Sequence, residues 1–471
     1  MVGVPFPFQS DSYKVFHQEM YPEGLEFASA YLESRSNNED ILFFGLQYYI
    51  KEYLLRNDFI GDLELLNSIL STHFNIDMNL HTWRNRFQNL DELGYLPLNI
   101  YAVDEGTVVP SKNVLMKVEN THKDFAWLVS YIEGLLSKVW YSSTVATTTY
   151  KVNKLNREFL EKTSDLHPSV ADFMLHDFGY RGVSSEESAL IGGMSHAICS
   201  KGSDTLLAIY GINKYYNKSK NYICPVSSVP ATEHNVMISL GEINEPQVLS
   251  TILDKFPIGI ISVVGDSYDI RRFANEYVGT LFKDIIKNRK GTFVLRPDSV
   301  IKNESPANQV VELLDILSDK FGYTINSKGY DILPPFIKVL WGDGLTYNTI
   351  QDILNRVEHK GYSTENIATF GMGGGLLQNV TRDTYKFAYK TSAVKFKNKP
   401  WQGCSKNPKG TGKVSKSGRL HLIKSEDGDF STTDNLEEYE DNLQLIFSNG
   451  KIFRTHDFEN IRSCAFNYLV S

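Results

Sequence analysis

Apolar positions change their spacing along the chain, and the changes mark its organisation. In the first 140 or so residues the pattern is mixed. FFGLQYYIKEYLLR (residues 43–56) has helical spacing, whereas NIYAVDEGTVVP (99–110) and NVLMKVE (113–119) read as strands. A long helical stretch is expected from about Phe125 to Lys162. From about Met174 to Tyr389 the chain breaks into short apolar runs, each followed by a Gly- or Asp-rich turn and a helix. That alternation predicts parallel βα units. After Lys395 come a basic segment, a strand-like GRLHLIK and an acidic stretch through Asp441. In the closing NLQLIFSNGKIFR, Asn449-Gly450 between two apolar runs predicts a hairpin turn. The economical architecture is a βα barrel flanked by a second domain built from both chain ends.

Composition narrows the class. The 471 residues are 42% hydrophobic, enough for a large core, and the net charge of −8 disfavours nucleic acid as the main partner. Four cysteines, Cys199, Cys224, Cys404 and Cys464, show no ligand spacing and no disulfide framework. The N-terminus does not read as a signal peptide, and the apolar run around Phe256 to Val264 is too short, at about ten residues, to span a bilayer. A cytoplasmic protein without a membrane partner is expected. One segment reverses the charge: Lys397 to Lys424 holds eight Lys or Arg and no Asp or Glu. The plain reading is a solvated loop; the sharper one is a flap that closes on phosphates.

Candidate chemistry gathers in four turns. FPIGIISVVGDSYDI, GTFVLRPDSV, FIKVLWGDGL and NIATFGMGGGLLQNVTRD each carry an apolar strand into polar residues and then a helix. In a parallel barrel such strand ends converge on one face, so Asp266, Asp269, Arg296, Asp298, Asp343 and Gly373 to Gly375 are expected to line one pocket. Glycines before Leu376 let backbone approach a ligand, and N–H groups at a helix start favour a phosphate; packing is the competing reason for them. Arg296-Pro297-Asp298 sets a bidentate cation beside a carboxylate suited to a ribose diol or Mg²⁺. Gly342-Asp343-Gly344 repeats the carboxylate with room on both sides. Phe178 and Arg181 stand just ahead of a helix N-cap box, and His234 lies in the polar run Pro230 to His234.

These motifs together resemble the nicotinamide phosphoribosyltransferases. The match runs in order from about residue 9 to the C-terminus: DSYK at Asp11, HDFGYRGVSS at His176, KGSDT at Lys201, SVPATEH at Ser228, GDSYDI at Gly265, RPDS at Arg296, GDG at Gly342, GGGLLQNVTRD at Gly373, and Lys413 with Ser415 before GRL. The resemblance implies an irregular α/β barrel of the type II phosphoribosyltransferase kind (141–389) plus a second α+β domain (1–140 and 390–471). It also implies a homodimer with shared active sites. Its substrates are nicotinamide, phosphoribosyl pyrophosphate and ATP as a coupling substrate, with Mg²⁺ held by Asp298 and Asp343, directly or through water.

By the same resemblance, Phe178 of one subunit and Tyr13 of the other sandwich the pyridine. Asp204 accepts from the amide NH2 and disfavours nicotinate, whose carboxylate it would repel. Arg181, Arg296, Asp298, Gly342, Asp343, Gly373 and Gly374 hold the ribose and phosphates, and Arg181 is shared with the nicotinamide site. Arg382, Lys390, Lys413 and Ser415 reach the phosphates from the other chain, joined on a looser match by Arg35 and Lys406. His234 is the histidine that ATP phosphorylates, with Glu233 or Asp269 to orient it, and Asp269 is carried in the catalytic group with His234, Arg296 and Asp298. Three positions depart from the family pattern: Val300 and Gly265 where Gly and Ser are usual, and Ala388 in place of Ser. A nicotinate enzyme and a catalytically silent binding protein on the same fold are the competing readings.

Overall fold

The computed structural model describes residues 4–55, 60–410, 414–436 and 439–470. The chain divides into two units. One comprises Thr148–Lys214, Ser219–Val380 and Leu469–Ser471; the other comprises Met1–Thr147, Tyr215–Lys218 and Thr381–Tyr468. The sequence pattern had set the divisions after residues 140 and 389.

The first of these units is a ring of short parallel strands: β1 (Leu175–Asp177), β2 (Gly202–Ser203), β3 (Ile261–Val264), β4 (Phe293–Arg296), β5 (Ile337–Trp341) and β6 (Ile367–Met372). Their spatial order is β2-β1-β6-β5-β4-β3. The two edges are linked by residues 227–231, because Gly202 bridges Ser227 and Ser262 bridges Ala231, both in parallel sense. Each strand therefore neighbours the next one in the chain, and the result is an irregular α/β barrel with one rung that is not a strand. β3 and β4 are buried at every position, as strands covered on both faces must be. The helices Pro306–Phe321 and Tyr347–His359 that follow β4 and β5 bury stripes at helical spacing, Val310, Leu313, Leu314 and Leu317 in one and Ile350, Ile353, Leu354 and Val357 in the other. Ser305 and Thr346 cap them, each accepting from the backbone N–H three residues on.

The other unit is built on a seven-stranded sheet in the order Trp401–Gly403, Phe387–Phe396, Leu25–Ser34, Val114–Asn120, Leu98–Ala102, Gln444–Ser448, Lys451–Ile452, so both chain ends contribute. Asn449 (φ 48) and Gly450 (φ 76) make the turn of the final hairpin. The helical stretch expected from Phe125 is broken into Ala126–Tyr131, Glu133–Leu136 and Val139–Thr163. At the first break the carbonyls of Ser130 and Tyr131 accept from Lys14 Nζ and Ser10 Oγ, both at 2.8 Å. The run that starts at Phe43 gives only a short α-helix, Leu46–Tyr49, that continues as a π-helical turn, Ile50–Leu54. No helix among the described residues is long and apolar enough to cross a membrane.

Candidate active site

Strand ends bring the candidate residues together in the barrel unit. β4 ends at Arg296, which is 8% exposed. Its Nη2 donates to the Thr232 carbonyl at 2.8 Å, and its Nε lies 4.0 Å from Asp298 Oδ1. β3 leads into Asp266, whose buried carboxylate joins two other segments. Oδ1 is 2.9 Å from His234 Nε2, and Oδ2 accepts from the Asp298 backbone N–H at 2.9 Å. Asp266 thus orients the histidine. Asp269, expected in the catalytic group, is placed elsewhere: its Oδ1 accepts from Arg271 and Arg272 N–H at 2.9 and 3.1 Å and caps the helical turn that follows. A carboxylate immediately before a helix is drawn to the unpaired N–H groups there. Glu233 makes a 3.7 Å ion pair with Arg181, both well exposed. The Asp298 carboxyl sits above its usual value. Burial is the main cause, and Asp266 and Asp343 push it up further while Arg296 and His234 oppose them.

The opposite corner is built from β1 and β2. His176, 9% exposed, places Nδ1 3.7 Å from Asp204 Oδ1, and the Ser228 hydroxyl donates to the same carboxylate oxygen. Partial burial pushes the Asp204 carboxyl up, but the nearby His176 ring and the bond from Ser228, with the charge of Arg296, hold it below its ordinary value. Asp204 is therefore held ionised. Phe178 stands beside it, its N–H bonded to the Met372 carbonyl at 3.1 Å. A Cβ on Gly371 would come within 2.0 Å of the Phe178 ring, so that glycine makes room for the aromatic plane. A Cβ on Gly375 would come within 2.1 Å of the Leu345 carbonyl oxygen. Packing thus accounts for Gly371 and Gly375, whereas a Cβ on Gly374 would make only ordinary contacts, at 3.5 Å, and one on Gly373 would lie 3.1 Å from the Phe178 carbonyl oxygen. Asp177, below Phe178, is fully buried and accepts from Gly179 N–H at 2.7 Å; burial raises its carboxyl to about 6.

An open cleft of about 1090 Å³ carries Phe178, Arg181, Asp204, His234, Arg296, Asp298, Gly342, Asp343, Gly373 and Gly374 on its wall. A deeper compartment of about 280 Å³ opens beside it, lined by apolar residues such as Ile260, Val294 and Leu340. Phe178, Asp204, Ala231 and Arg296 line both. Reading the sequence gave no separate role to His176, Ser228 or Asp177. Their only signal was a place inside the quoted motifs.

Tyr13, Arg382, Lys390 and Ser415 belong to the sheet unit. Tyr13 is 57% exposed, with its ring centroid 5.4 Å from that of His17. Lys390 lies opposite Tyr31 in register, and Ser415 Oγ accepts from Lys406 N–H at 2.8 Å. Burial lowers the Lys390 ammonium and the charges of Arg35, Arg382 and Lys406 lower it further, against an opposing pull from Glu133. These cations crowd one another. Lys413 lies outside the described residues.

The departures have local explanations. A Cβ at Gly265 would lie 2.6 Å from the Phe273 ring, so a serine there would force that ring aside. In the loop after Arg296 the left-handed residue is Asn303 (φ 68), not Val300. Ala388 sits in the sheet opposite Glu33.

A parallel barrel whose strand ends set Arg-Pro-Asp, Gly-Asp-Gly and a Gly-rich turn around one cleft is the fold of the type II phosphoribosyltransferases. Residues 173–451 match the nicotinate phosphoribosyltransferase family, and residues 6–100 match the N-terminal domain of nicotinamide phosphoribosyltransferase. The chain is 39% identical to a nicotinamide phosphoribosyltransferase of Xanthomonas campestris over 97% of each chain. It is 31% identical to one of Acinetobacter baylyi, over 96% of this chain and 95% of that one. Among solved structures, nicotinate-nucleotide pyrophosphorylase of Pyrococcus furiosus shares the fold at a TM-score of 0.60 and 15% identity, over 99% of this chain and 96% of that one. Human nicotinic acid phosphoribosyltransferase does so at 0.53 and 14%, over 97% and 93%. This chain belongs to the nicotinamide phosphoribosyltransferase family.

Proposed function

We propose that the protein joins nicotinamide to phosphoribosyl pyrophosphate, giving nicotinamide mononucleotide and pyrophosphate in NAD salvage. One observation carries the choice of base: Asp204 is held ionised by His176 and Ser228, next to Phe178. A fixed carboxylate accepts from an amide NH2 and repels a carboxylate, a difference of several kcal/mol. The pyridine nitrogen attacks C1 of the sugar as pyrophosphate leaves. Neither reactant has to lose a proton, so the chain's task is alignment and charge stabilisation. Phe178 presents a plane for the base, and Arg296 meets the charge that develops on the leaving group. Asp298 and Asp343 would hold Mg²⁺. Asp298 is raised in part by Asp266 and Asp343, the crowding of like charges that a divalent cation relieves. An ion shared with substrate phosphates needs only one or two protein carboxylates. Bound there, Mg²⁺ supplies charge neutralisation at the pyrophosphate.

His234 is the residue we assign to ATP coupling. With Asp266 on Nε2, the favoured tautomer keeps its proton there and leaves a lone pair on Nδ1 for phosphoryl transfer. Phosphate contacts from Arg382, Lys390, Lys413 and Ser415, and the ring of Tyr13, are assigned to a second copy of the chain in a homodimer. The crowding of cations around Lys390 supports an anion site. The few, widely spaced cysteines and the acidic balance suit a cytoplasmic enzyme.

The test supplies protein, Mg²⁺ and phosphoribosyl pyrophosphate with nicotinamide and follows mononucleotide and pyrophosphate. Stoichiometric formation of both is expected, and neither product forming overturns the reading. Added ATP should raise the rate and leave phosphate on His234. Stimulation that survives His234→Ala contradicts that role.

A further inference from the structure

A loop that binds phosphates has to keep its cations together before any phosphate arrives. In the sheet unit the basic segment is gathered at two points. Ser392 is the extra residue of a bulge in strand Phe387–Phe396, opposite the step from Ser29 to Ala30. Its carbonyl accepts from both Cys404 N–H and Gly418 N–H, each at 2.8 Å, so one oxygen closes the two ends of the segment. Further in, Ser415 N–H donates to the Lys406 carbonyl at 3.0 Å, and Lys406 N–H donates to Ser415 Oγ at 2.8 Å.

One carboxylate then ties this segment to strand Leu25–Ser34. Glu33 is 2% exposed. Its Oε1 accepts from Arg35 Nε and its Oε2 from Lys416 Nζ, both at 2.7 Å. The fully buried Tyr31 completes the tie: its hydroxyl accepts from Lys416 N–H at 2.8 Å and donates to Glu33 Oε1 at 3.3 Å. Tyr31 also stands opposite Lys390 in the sheet. A buried carboxylate is tolerated where cations satisfy both oxygens, and such charge-assisted bonds are about twice as strong as neutral ones. The cations around Lys390 repel one another, and Glu33 supplies the counter-charge on the side of Arg35 and Lys416.

We infer that Glu33 and Tyr31 are positioning residues for the phosphate loop: they hold Arg35, Ser415 and Lys416 in the binding pose ahead of the ligand. This inference rests on the proposed assignment of phosphate contacts to Lys390 and Ser415. Its sign separates it from a plain charge effect. Through its field alone, a carboxylate beside an anion site weakens binding, and its removal should tighten the site. A carboxylate that orders the loop strengthens binding, and its removal should loosen the site.

The experiment is Glu33→Gln in the full-length protein. The KM for phosphoribosyl pyrophosphate, and the Kd of pyrophosphate measured by calorimetry, should both rise about tenfold. The nicotinamide KM and the kcat at saturating phosphoribosyl pyrophosphate should stay unchanged, because the bound anion then holds the cations. Adding Lys416→Met to Glu33→Gln should cost little more, since the tie is already cut. If Glu33→Gln melts early, the same constants are read on Tyr31→Phe, which keeps the ring and loses the hydroxyl, with a rise of about threefold expected. A fall or no change in the phosphoribosyl pyrophosphate KM and pyrophosphate Kd, or an equal rise in both substrates' KM, overturns the inference and leaves the proposed reaction intact. A wild-type protein that makes no mononucleotide overturns the reaction, and the pyrophosphate Kd still decides the role of Glu33. A wild-type protein that does not bind pyrophosphate overturns that role.

Discussion

Two corners of one cleft hold aspartates tuned in opposite directions. Asp204 lies below its ordinary value because His176, Ser228 and Arg296 outweigh its partial burial. Asp298 lies above it because burial, Asp266 and Asp343 outweigh Arg296 and His234. The residue type is the same and the neighbours differ. A carboxylate surrounded by donors is ready to accept from an amide. A carboxylate crowded by other carboxylates calls for a cation and the phosphates that come with it. On this view the base is recognised at one corner and the leaving group at the other.

Breaking the phosphate corner should have the largest effect. Arg296→Ala is expected to lower kcat/KM by on the order of 10²–10³, the cost of losing a donor aimed at developing charge. A loss of less than about tenfold would remove Arg296 from the chemistry. At the base corner, Asp204→Ser should narrow the preference for nicotinamide over nicotinate by roughly 30-fold, about 2 kcal/mol of relieved repulsion. The KM for phosphoribosyl pyrophosphate should stay unaltered, and an unchanged base ratio would show that the selector lies elsewhere.

Asp177 is a third case, tuned by burial without a reacting partner. Its carboxyl is raised from 3.8 to about 6, so between those values the folded state binds more protons than the unfolded one. Stability then falls as pH rises through that window, by at most about 3 kcal/mol. Asp177→Asn should melt higher than the wild type at pH 7 and level with it at pH 4. An offset that is the same at both would contradict the assignment. The smallest effect is expected at Gly371→Ala, whose Cβ would displace the Phe178 ring. We expect the nicotinamide KM to rise about fivefold, roughly 1 kcal/mol of lost ring contact, with kcat little changed, and an unaltered KM would argue against stacking on that ring.

Much of this site was legible in the sequence because barrel strand ends follow from apolar runs that stop at Gly, Asp and Arg. The hairpin at Asn449-Gly450 was legible for a similar reason, since that dipeptide suits two successive positive φ values. What escaped depended on contacts made across the ring. GDSYDI offers two carboxylates, and only the fold shows Asp266 reaching His234 while Asp269 turns back on Arg271 and Arg272. The N-cap preference for Asp before a helix was a signal that could have assigned Asp269. The closing rung at residues 227–231 has no apolar run to announce it, because its pairing is two isolated bridges. Gly371 stands in a Gly-rich turn that the sequence left open between ligand contact and packing, and only the fold shows it seating an aromatic ring.

The central claim, that the barrel holds a nicotinamide-selective phosphoribosyltransferase site, is tested most directly by competition. Equimolar nicotinamide and nicotinate are supplied together with phosphoribosyl pyrophosphate and Mg²⁺, and the two mononucleotides are counted by mass. The account predicts that nicotinamide mononucleotide dominates from the first turnovers. Equal amounts, or an excess of the nicotinate product, would contradict it.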